Sequence, residues 1–145
     1  MVATNNTFST PIASYSSGTS HDLAFFFTNG SSDGFQFADT INGSTGKDTI
    51  TSHGGGDTLD GKEGSDIYVV DSSDIGPSWS LDDTGVGGTD TLRLGNGSNF
   101  TFTASSVSGI EALVFTGNVA ATFLADQLAG TALSVRGDDG HQKLS

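Results

Sequence analysis

Three aspartates recur at nine-residue intervals in the first half of the chain: Asp48, Asp57 and Asp66. Each lies two residues after a glycine and two residues before an apolar residue. In consecutive blocks of nine, residues 34–69 read GFQFADTIN, GSTGKDTIT, SHGGGDTLD and GKEGSDIYV. A block this short cannot enclose a core and is stable only when it stacks on its neighbours. The period therefore predicts a solenoid in which each block supplies one turn and one short strand.

The composition favours short strands joined by turns over long helices. The 145 residues include 21 glycines and 2 prolines, together with many Ser, Thr, Asn and Asp, which are common turn residues. We therefore expect an all-β chain, a parallel β-roll or β-solenoid, that buries a core when its strands stack. The apolar run at residues 67–70 predicts a strand that is covered on both faces.

A slower period follows the ninefold array. Phe102, Phe123 and Leu144 are spaced by 21 residues, and glycines followed by apolar pairs recur at a similar interval from Gly88 onward. This spacing predicts larger coils of about 21 residues, with two short strands each, that continue the stack. A helical turn is expected at residues 123–129.

The chain thus divides into three predicted regions. They are an irregular N-terminal cap (1–33), the ninefold β-roll (34–70) and a β-solenoid continuation (71–145). The phenylalanines between residues 25 and 37 are expected to cover the open end of the stack, because an uncovered solenoid end is an edge strand that invites aggregation.

The aspartates of alternate blocks should lie over one another. Two blocks make one coil of 18 residues, so Asp48 should stack on Asp66, and Asp39 on Asp57. Carboxylates at the strand spacing of about 4.8 Å repel one another unless a cation lies between them. The donors in such turns are carboxylate and carbonyl oxygens, which suit Ca²⁺ better than Mg²⁺, Zn²⁺ or Cu²⁺.

The blocks resemble the RTX family, the haemolysin-type calcium-binding repeats of bacterial proteins exported by type I secretion. The nonapeptide of that family is Gly-Gly-x-Gly-x-Asp-x-(apolar)-x. Residues 43–69 follow this pattern well and residues 34–42 follow it in part. The resemblance implies that each ion lies between turns two blocks apart and is held by backbone carbonyls and aspartates.

Carried over residue by residue, the resemblance implies two calcium sites. The first consists of Gly43, Thr45 and Asp48 facing Lys62, Gly64 and Asp66. The second, weaker site consists of Asp39 facing His53, Gly55 and Asp57.

Several glycines of the pattern are replaced in this chain. The second glycine is replaced by Ser44, His53 and Lys62, and the first by Ser52. Because carbonyls do most of the binding, these replacements should strain the turns more than they remove ligands. We expect one or two bound ions with dissociation constants of about 10⁻⁴ to 10⁻³ M.

An isolated copy of the motif, GVGGTDTLR, lies at residues 85–93. It places Asp90 in the ligand position, 24 residues after Asp66. Since 24 is not a multiple of nine, we expect this turn to lack a stacked partner and Asp90 to make no contact with calcium.

Charge and missing motifs exclude several functions. Five Lys and Arg against 17 Asp and Glu give a net charge of -12, which repels nucleic acid and anionic lipid and favours a cation as partner. There is no cysteine, so disulfides and thiolate metal sites cannot form. No basic and apolar leader and no membrane span is indicated. Common catalytic signatures are also missing, and we expect no enzyme activity.

The sequence therefore predicts a noncatalytic calcium-binding module. The resemblance implies that it folds on binding Ca²⁺ after type I secretion without a cleaved leader, with other domains of a larger secreted protein as further partners. Two alternatives remain open. One is a structural or adhesive β-solenoid that binds a glycan or a cell-surface partner, with calcium only as a staple. The other is a fragment of a secreted RTX hydrolase or toxin.

Overall fold

The computed structural model is a β-solenoid in which every described strand pairing is parallel. The all-β prediction is confirmed, since the described residues contain strands and one short 3₁₀ helix. The structure describes residues 2–4, 24–28, 31–33, 38–52, 56–76, 78–95, 99–102, 106–128, 132–138 and 141–145.

The strands are short, as a stack of small coils requires. Their bounds are β1 Val2–Thr4, β2 Ala24–Thr28, β3 Ser31–Asp33, β4 Thr40–Asn42, β5 Thr49–Thr51, β6 Thr58–Asp60, β7 Ile67–Asp71, β8 Ser80–Asp82, β9 Thr91–Gly95, β10 Asn99–Thr101, β11 Ser106–Ser108, β12 Ala112–Phe115, β13 Ala120–Thr122, β14 Ser134–Arg136 and β15 Lys143–Leu144.

From β2 to β9, consecutive strands alternate between two six-stranded sheets. One sheet has the order β1-β2-β4-β6-β8-β11 and the other β3-β5-β7-β9-β12-β14. A third sheet, β10-β13-β15, joins in the second half. Each early coil therefore has one strand in each large sheet, and the turns between the sheets form the two edges of the roll.

The core is built from one buried side chain per short strand, in two columns that follow the strand registers. The first column is Ile41, Leu59, Leu81 and Val107. The second column is Ile50, Tyr68, Leu92 and Leu113. Since each ninefold block contributes one core side chain among its described residues, this part of the early coils buries little apolar surface for the number of residues that it orders.

Later coils are wider than the sequence predicts. The prediction of two short strands per coil is wrong there, because β10 and β13 add a third side. The added side encloses aromatic side chains: the rings of Phe102 and Phe123 stack with centroids 4.4 Å apart, and Trp79 lies 5.6 Å from Phe102. Leu144 pairs with Ala121, so it does not continue the Phe102 and Phe123 column.

Two smaller expectations have different outcomes. The helical turn at residues 123–129 is confirmed as a 3₁₀ helix at Ala125–Leu128. The prediction that residues 67–70 are covered on both faces is wrong, because Ile67 and Val69 are only half-buried. These two side chains lie on the face of the strand opposite to the buried Tyr68 and Val70.

The N-terminal strands extend the same stack. β1 pairs with β2, β2 with β4, and β3 with β5. The side chains of the phenylalanines expected to cover this end lie outside the described part of the chain, so their capping role stays a prediction.

Successive turns touch through their backbones, which requires glycine at the points of contact. Gly88 has φ +107°, and a Cβ placed on it would overlap the carbonyl oxygen of Gly64 in the turn beneath. Gly87 also has positive φ, +83°, but a Cβ there would meet no atom within 4 Å. Of these two glycines, Gly88 is therefore the one constrained by both its φ angle and its neighbour.

Substitution of these two glycines should separate the two constraints. We expect Gly87→Ala to lower the free energy of unfolding by about 1 kcal/mol, the cost of a left-handed alanine. Gly88→Ala should lower it by at least about twice as much, because the coils must also move apart. Urea unfolding in saturating calcium measures both values. Equal losses in the two variants would show that the turns are not in backbone contact.

Candidate metal centre

One edge of the roll carries a ladder of acidic residues. The backbone N–H of Asp48 donates to Oδ1 of Asp66 over 2.7 Å, and the N–H of Asp66 donates to Oδ1 of Asp90 over 2.8 Å. The N–H of Asp90 in turn donates to Oε2 of Glu111 over 2.8 Å. Each acidic side chain thus holds the backbone of the acidic residue one coil earlier. The predicted stacking of Asp48 on Asp66 is confirmed.

The opposite edge repeats this arrangement with Asp39 and Asp57. The N–H of Asp39 donates to Oδ1 of Asp57 over 2.9 Å, as the 18-residue register predicts. Oδ2 of Asp57 accepts a hydrogen bond from the Ser52 hydroxyl at 2.7 Å. His53 and Gly55, which the resemblance also places here, lie outside the described residues.

The expectation that Asp90 lacks a stacked partner is wrong. Strands β7 and β9 keep their register, with Ile67 opposite Thr91, although 24 residues separate Asp66 from Asp90. This coil has 24 residues, whereas the early coils have 18. Most of the additional residues lie in the connection at 72–79, which carries the buried Trp79. The turn at 85–90 therefore lies directly over the turn at 61–66.

Sequence reasoning missed Glu111 as the last member of the ladder. A signal for it exists, because Glu111 lies two residues after Gly109, the same spacing that separates Gly88 from Asp90. A search for any acidic residue two positions after a turn glycine finds it, whereas a search for the full nonapeptide does not.

The carboxylates of the ladder differ in how their second oxygens are used. Oδ2 of Asp48 accepts hydrogen bonds from the N–H and the hydroxyl of Ser44, at 2.7 and 3.0 Å. Oδ2 of Asp66 is fully buried and has no hydrogen-bond partner among the described residues. A buried charged oxygen without a donor is costly. It marks the part of the edge where a cation would contribute most.

The residues implied for the first site lie in two turns that are in contact. Gly43 and Thr45 belong to the turn at 43–48, and Lys62 and Gly64 to the turn at 61–66. A Cβ on Gly43 would overlap the carbonyl oxygen of Gly61, and one on Gly64 would overlap that of Gly46. Backbone oxygens of adjacent turns therefore lie beside the stacked aspartates, where they are available to an ion.

Lys62 shows the strain expected where the motif glycine is replaced. Its φ is +73°, a left-handed conformation that is uncommon for residues other than glycine. Its Nζ lies 2.5 Å from Oδ2 of Asp60, on the partly exposed flank of the turn. The lysine charge therefore pairs with Asp60 outside the buried ladder.

Burial raises the pKa values of Asp57, Asp66 and Asp90. The pKa of Asp66 rises to about 7, because the carboxyl is buried and because Asp83, Asp48 and Asp90 lie near it. Burial raises the pKa of Asp57 to about 6, against the hydrogen bond from Ser52. Burial likewise raises the pKa of Asp90 to about 6. The ionised forms thus lack compensation in the protein alone.

These donors fit calcium. The edge offers carboxylate and carbonyl oxygens, a partnerless buried oxygen on Asp66, and a flexible glycine backbone. Ca²⁺ accepts about 6–8 oxygens in irregular geometry, whereas Zn²⁺ and Cu²⁺ prefer nitrogen or sulfur. The sequence has no cysteine, and the one histidine among the described residues, His141, lies in the exposed C-terminal segment.

Parallel coils joined by glycine turns, with acidic side chains stacked along the turn edges, define a β-roll of the cation-binding class. A family model of the RTX calcium-binding nonapeptide repeat, in four copies, matches residues 33–68. Residues 33–68 thus match the RTX repeat, whose β-roll is a calcium-binding structural motif that is typical of secreted bacterial proteins.

Two further comparisons gave no significant match, one with curated proteins and one with solved structures. Among the described residues, no helix has the length and apolar character needed to cross a membrane.

The raised pKa values predict an unusual pH dependence of the calcium-free protein. Between about pH 4 and 7 the folded state binds more protons than the unfolded state, so the free energy of unfolding should fall as pH rises through this window. Calcium affinity should change in the opposite direction, rising by up to about tenfold per pH unit for each proton that the ion displaces.

Chemical unfolding and calcium titration at several pH values between about 5 and 8 test both trends. A calcium-free protein whose stability is constant or rises over this range would contradict buried, uncompensated carboxyls.

Proposed function

We propose that this chain is a noncatalytic calcium-binding β-roll module whose folding is coupled to Ca²⁺ binding after secretion. The RTX repeats and their solenoid support the calcium-binding part of the proposal. The coupling is supported by the small core of the early coils and by the buried acidic ladder.

One observation carries the proposal. Asp66 is completely buried, and its Oδ2 has no hydrogen-bond partner among the described residues. Asp48 and Asp90 lie on either side of it in the ladder. A carboxylate in this position is stable in its ionised form only if a cation neutralises it.

The ligands of the first site are proposed to be the oxygens of two stacked turns. Gly43, Thr45 and Asp48 face Lys62, Gly64 and Asp66 in this site. A second, weaker site on the opposite edge uses Asp39, His53, Gly55 and Asp57. The Ser44 donors to Asp48 compete with an ion for that carboxylate, which favours weak binding at the first site.

In such a module, the free energy of calcium binding stabilises the folded state. Without Ca²⁺, repulsion along the edges and the ordering of many glycines oppose closure of the coils. With Ca²⁺, the ion binds only the closed coils, so it stabilises them in proportion to the logarithm of its concentration above the dissociation constant. Extracellular modules bind at about 10⁻⁴ to 10⁻³ M. The module would therefore stay open in a cytosol and close outside the cell.

Calcium titration followed by far-ultraviolet circular dichroism tests the coupling. We expect a cooperative gain of β signal as calcium rises through about 10⁻⁴ to 10⁻³ M, and its loss on chelation. Magnesium at the same concentration is the control and should have little effect. A β spectrum that is already complete without calcium would instead support a preformed scaffold.

Replacing Asp66 should stabilise the calcium-free protein and reduce the stabilisation that calcium adds. Asp66→Asn removes a buried charge, so the calcium-free protein should gain roughly 1–3 kcal/mol in free energy of unfolding at neutral pH. The stabilisation that saturating calcium adds should drop to about half or less, because a ligand is lost.

Asp126→Asn is the matched control, since Asp126 is exposed in the 3₁₀ helix, away from the turn edges. It should leave both quantities near the wild-type values. Thermal or urea unfolding with and without calcium measures them. Asp66→Asn would count against the proposal if it left the calcium-induced stabilisation unchanged.

A further inference from the structure

Asp83 occupies a place in the stack that belongs to glycine in the two preceding coils. The residue directly after β4 is Gly43, and the residue directly after β6 is Gly61. The register of β6 on β8, with Leu59 opposite Leu81, brings Asp83 to the same place after β8. A carboxylate thus enters the turn edge where the RTX pattern has only a backbone.

The Asp83 side chain is held in a fixed position inside the edge. The Tyr68 hydroxyl donates to Oδ2 of Asp83 over 2.6 Å, and the N–H of Gly85 donates to Oδ1 over 3.0 Å. Tyr68 is itself positioned by the N–H of Gly61, which donates to its hydroxyl over 2.6 Å. Asp83 is only 8% exposed, so these contacts orient a nearly buried charge.

Three carboxylates converge at this place. Asp66, Asp83 and Asp90 each present one ligand oxygen within 4.8 Å of those of the other two, and all three residues are buried. Asp66 ends the turn before β7, Asp83 begins the turn after β8, and Asp90 ends that same turn before β9. None of the three forms a salt bridge with a described residue. The described ion pair nearest in sequence joins Lys62 to Asp60.

A separate observation indicates that the cluster awaits a ligand. The fully buried Oδ2 of Asp66 has no hydrogen-bond partner among the described residues. A Cβ on Gly61 would contact both this oxygen and the Tyr68 hydroxyl, so the oxygen points into the space next to the group that holds Asp83. Gly61 keeps that space open because it has no side chain.

We propose that Asp66, Asp83 and Asp90 form a further Ca²⁺ site of three carboxylates, between the last matched RTX repeat and the coil that follows it, with Asp66 shared between this site and the one at Asp48. The inference rests on the proposed calcium function and adds a site beyond residues 33–68. It assigns Asp83, which no nonapeptide supplies, as a direct ligand. It assigns Tyr68 as the positioning residue of that ligand.

The charge of this site should give it the highest affinity for Ca²⁺ of the sites in the roll. Affinity for Ca²⁺ increases with the number of carboxylate ligands and with the rigidity of the site. The site has three carboxylates, and Asp83 is oriented by two hydrogen bonds, whereas the proposed site at Asp48 has two carboxylates. The first ion to bind should therefore occupy the cluster at Asp83.

Isothermal titration calorimetry with Ca²⁺ on two neighbouring variants tests this site. Asp83→Asn keeps the shape of the side chain and one acceptor oxygen for the Tyr68 hydroxyl, and it loses the charge and the acceptor of the Gly85 N–H. It should abolish the tightest binding step or weaken it by about tenfold or more. Asp82→Asn makes the same change one residue earlier, on an exposed side chain that accepts from Ser108, and should bind as the wild type does. Equal binding by the two variants would overturn the inference.

Terbium luminescence provides a second measurement that does not depend on how well Asp83→Asn folds. Tb³⁺ replaces Ca²⁺ at oxygen sites and emits when a nearby aromatic ring is excited. With Tyr68 in contact with Asp83, tyrosine-sensitised emission should appear in the wild type and be largely lost in Tyr68→Phe at saturating Tb³⁺. Emission that is unaffected by Tyr68→Phe would overturn the site.

The same titrations separate this inference from the proposed function. Asp48→Asn should leave the tightest step in place and reduce only weaker binding. If the wild type binds calcium but Asp83→Asn retains every calcium-binding step of the titration, the inference fails and the proposed calcium function stands. If the wild type binds no calcium, both fail.

Discussion

Repulsion between buried carboxylates is the constraint on which the rest of this structure depends. Asp48, Asp66, Asp90 and Glu111 lie on one edge, where the last three side chains each accept the backbone N–H of the acidic residue one coil earlier. Those hydrogen bonds satisfy one oxygen per residue and fix the spacing of the coils. They cannot neutralise the charge, and the raised pKa of Asp66 reflects this deficit. The same groups that set the register of the roll therefore oppose its closure unless their charge is neutralised.

The ninefold part of the fold follows directly from the sequence. Glycine, aspartate and an apolar residue recur at fixed offsets, so the strand registers and the stacking of Asp48 on Asp66 could be predicted without coordinates. Only the turn edges and one core side chain per strand have to repeat for this to work. The prediction for Asp90 was wrong, because it assumed that coils of unequal length cannot stack.

Coil length proved to be the property that sequence spacing does not determine. The connection at 72–79 lengthens one coil on the edge opposite the acidic ladder, and β10 adds a third side to the next. A parallel stack tolerates this because only paired strands and contacting turns must keep register. The role of Asp83 was hidden for the same reason, since its alignment with Gly61 depends on the register of β8 and not on a count of residues.

The acidic ladder also has a polarity. Every N–H donor lies one coil nearer the N-terminus than the carboxylate that accepts it, and within the described residues Glu111 is the last acceptor. A turn such as that of Asp48 therefore gains its partner only when the coil after it has formed. The backbone bonds run the other way, since the N–H of Ile67 donates to the carbonyl oxygen of Asp48 and the N–H of Thr91 to that of Asp66. Adjacent coils are therefore joined by donors from both sides, and neither coil completes its turn edge alone.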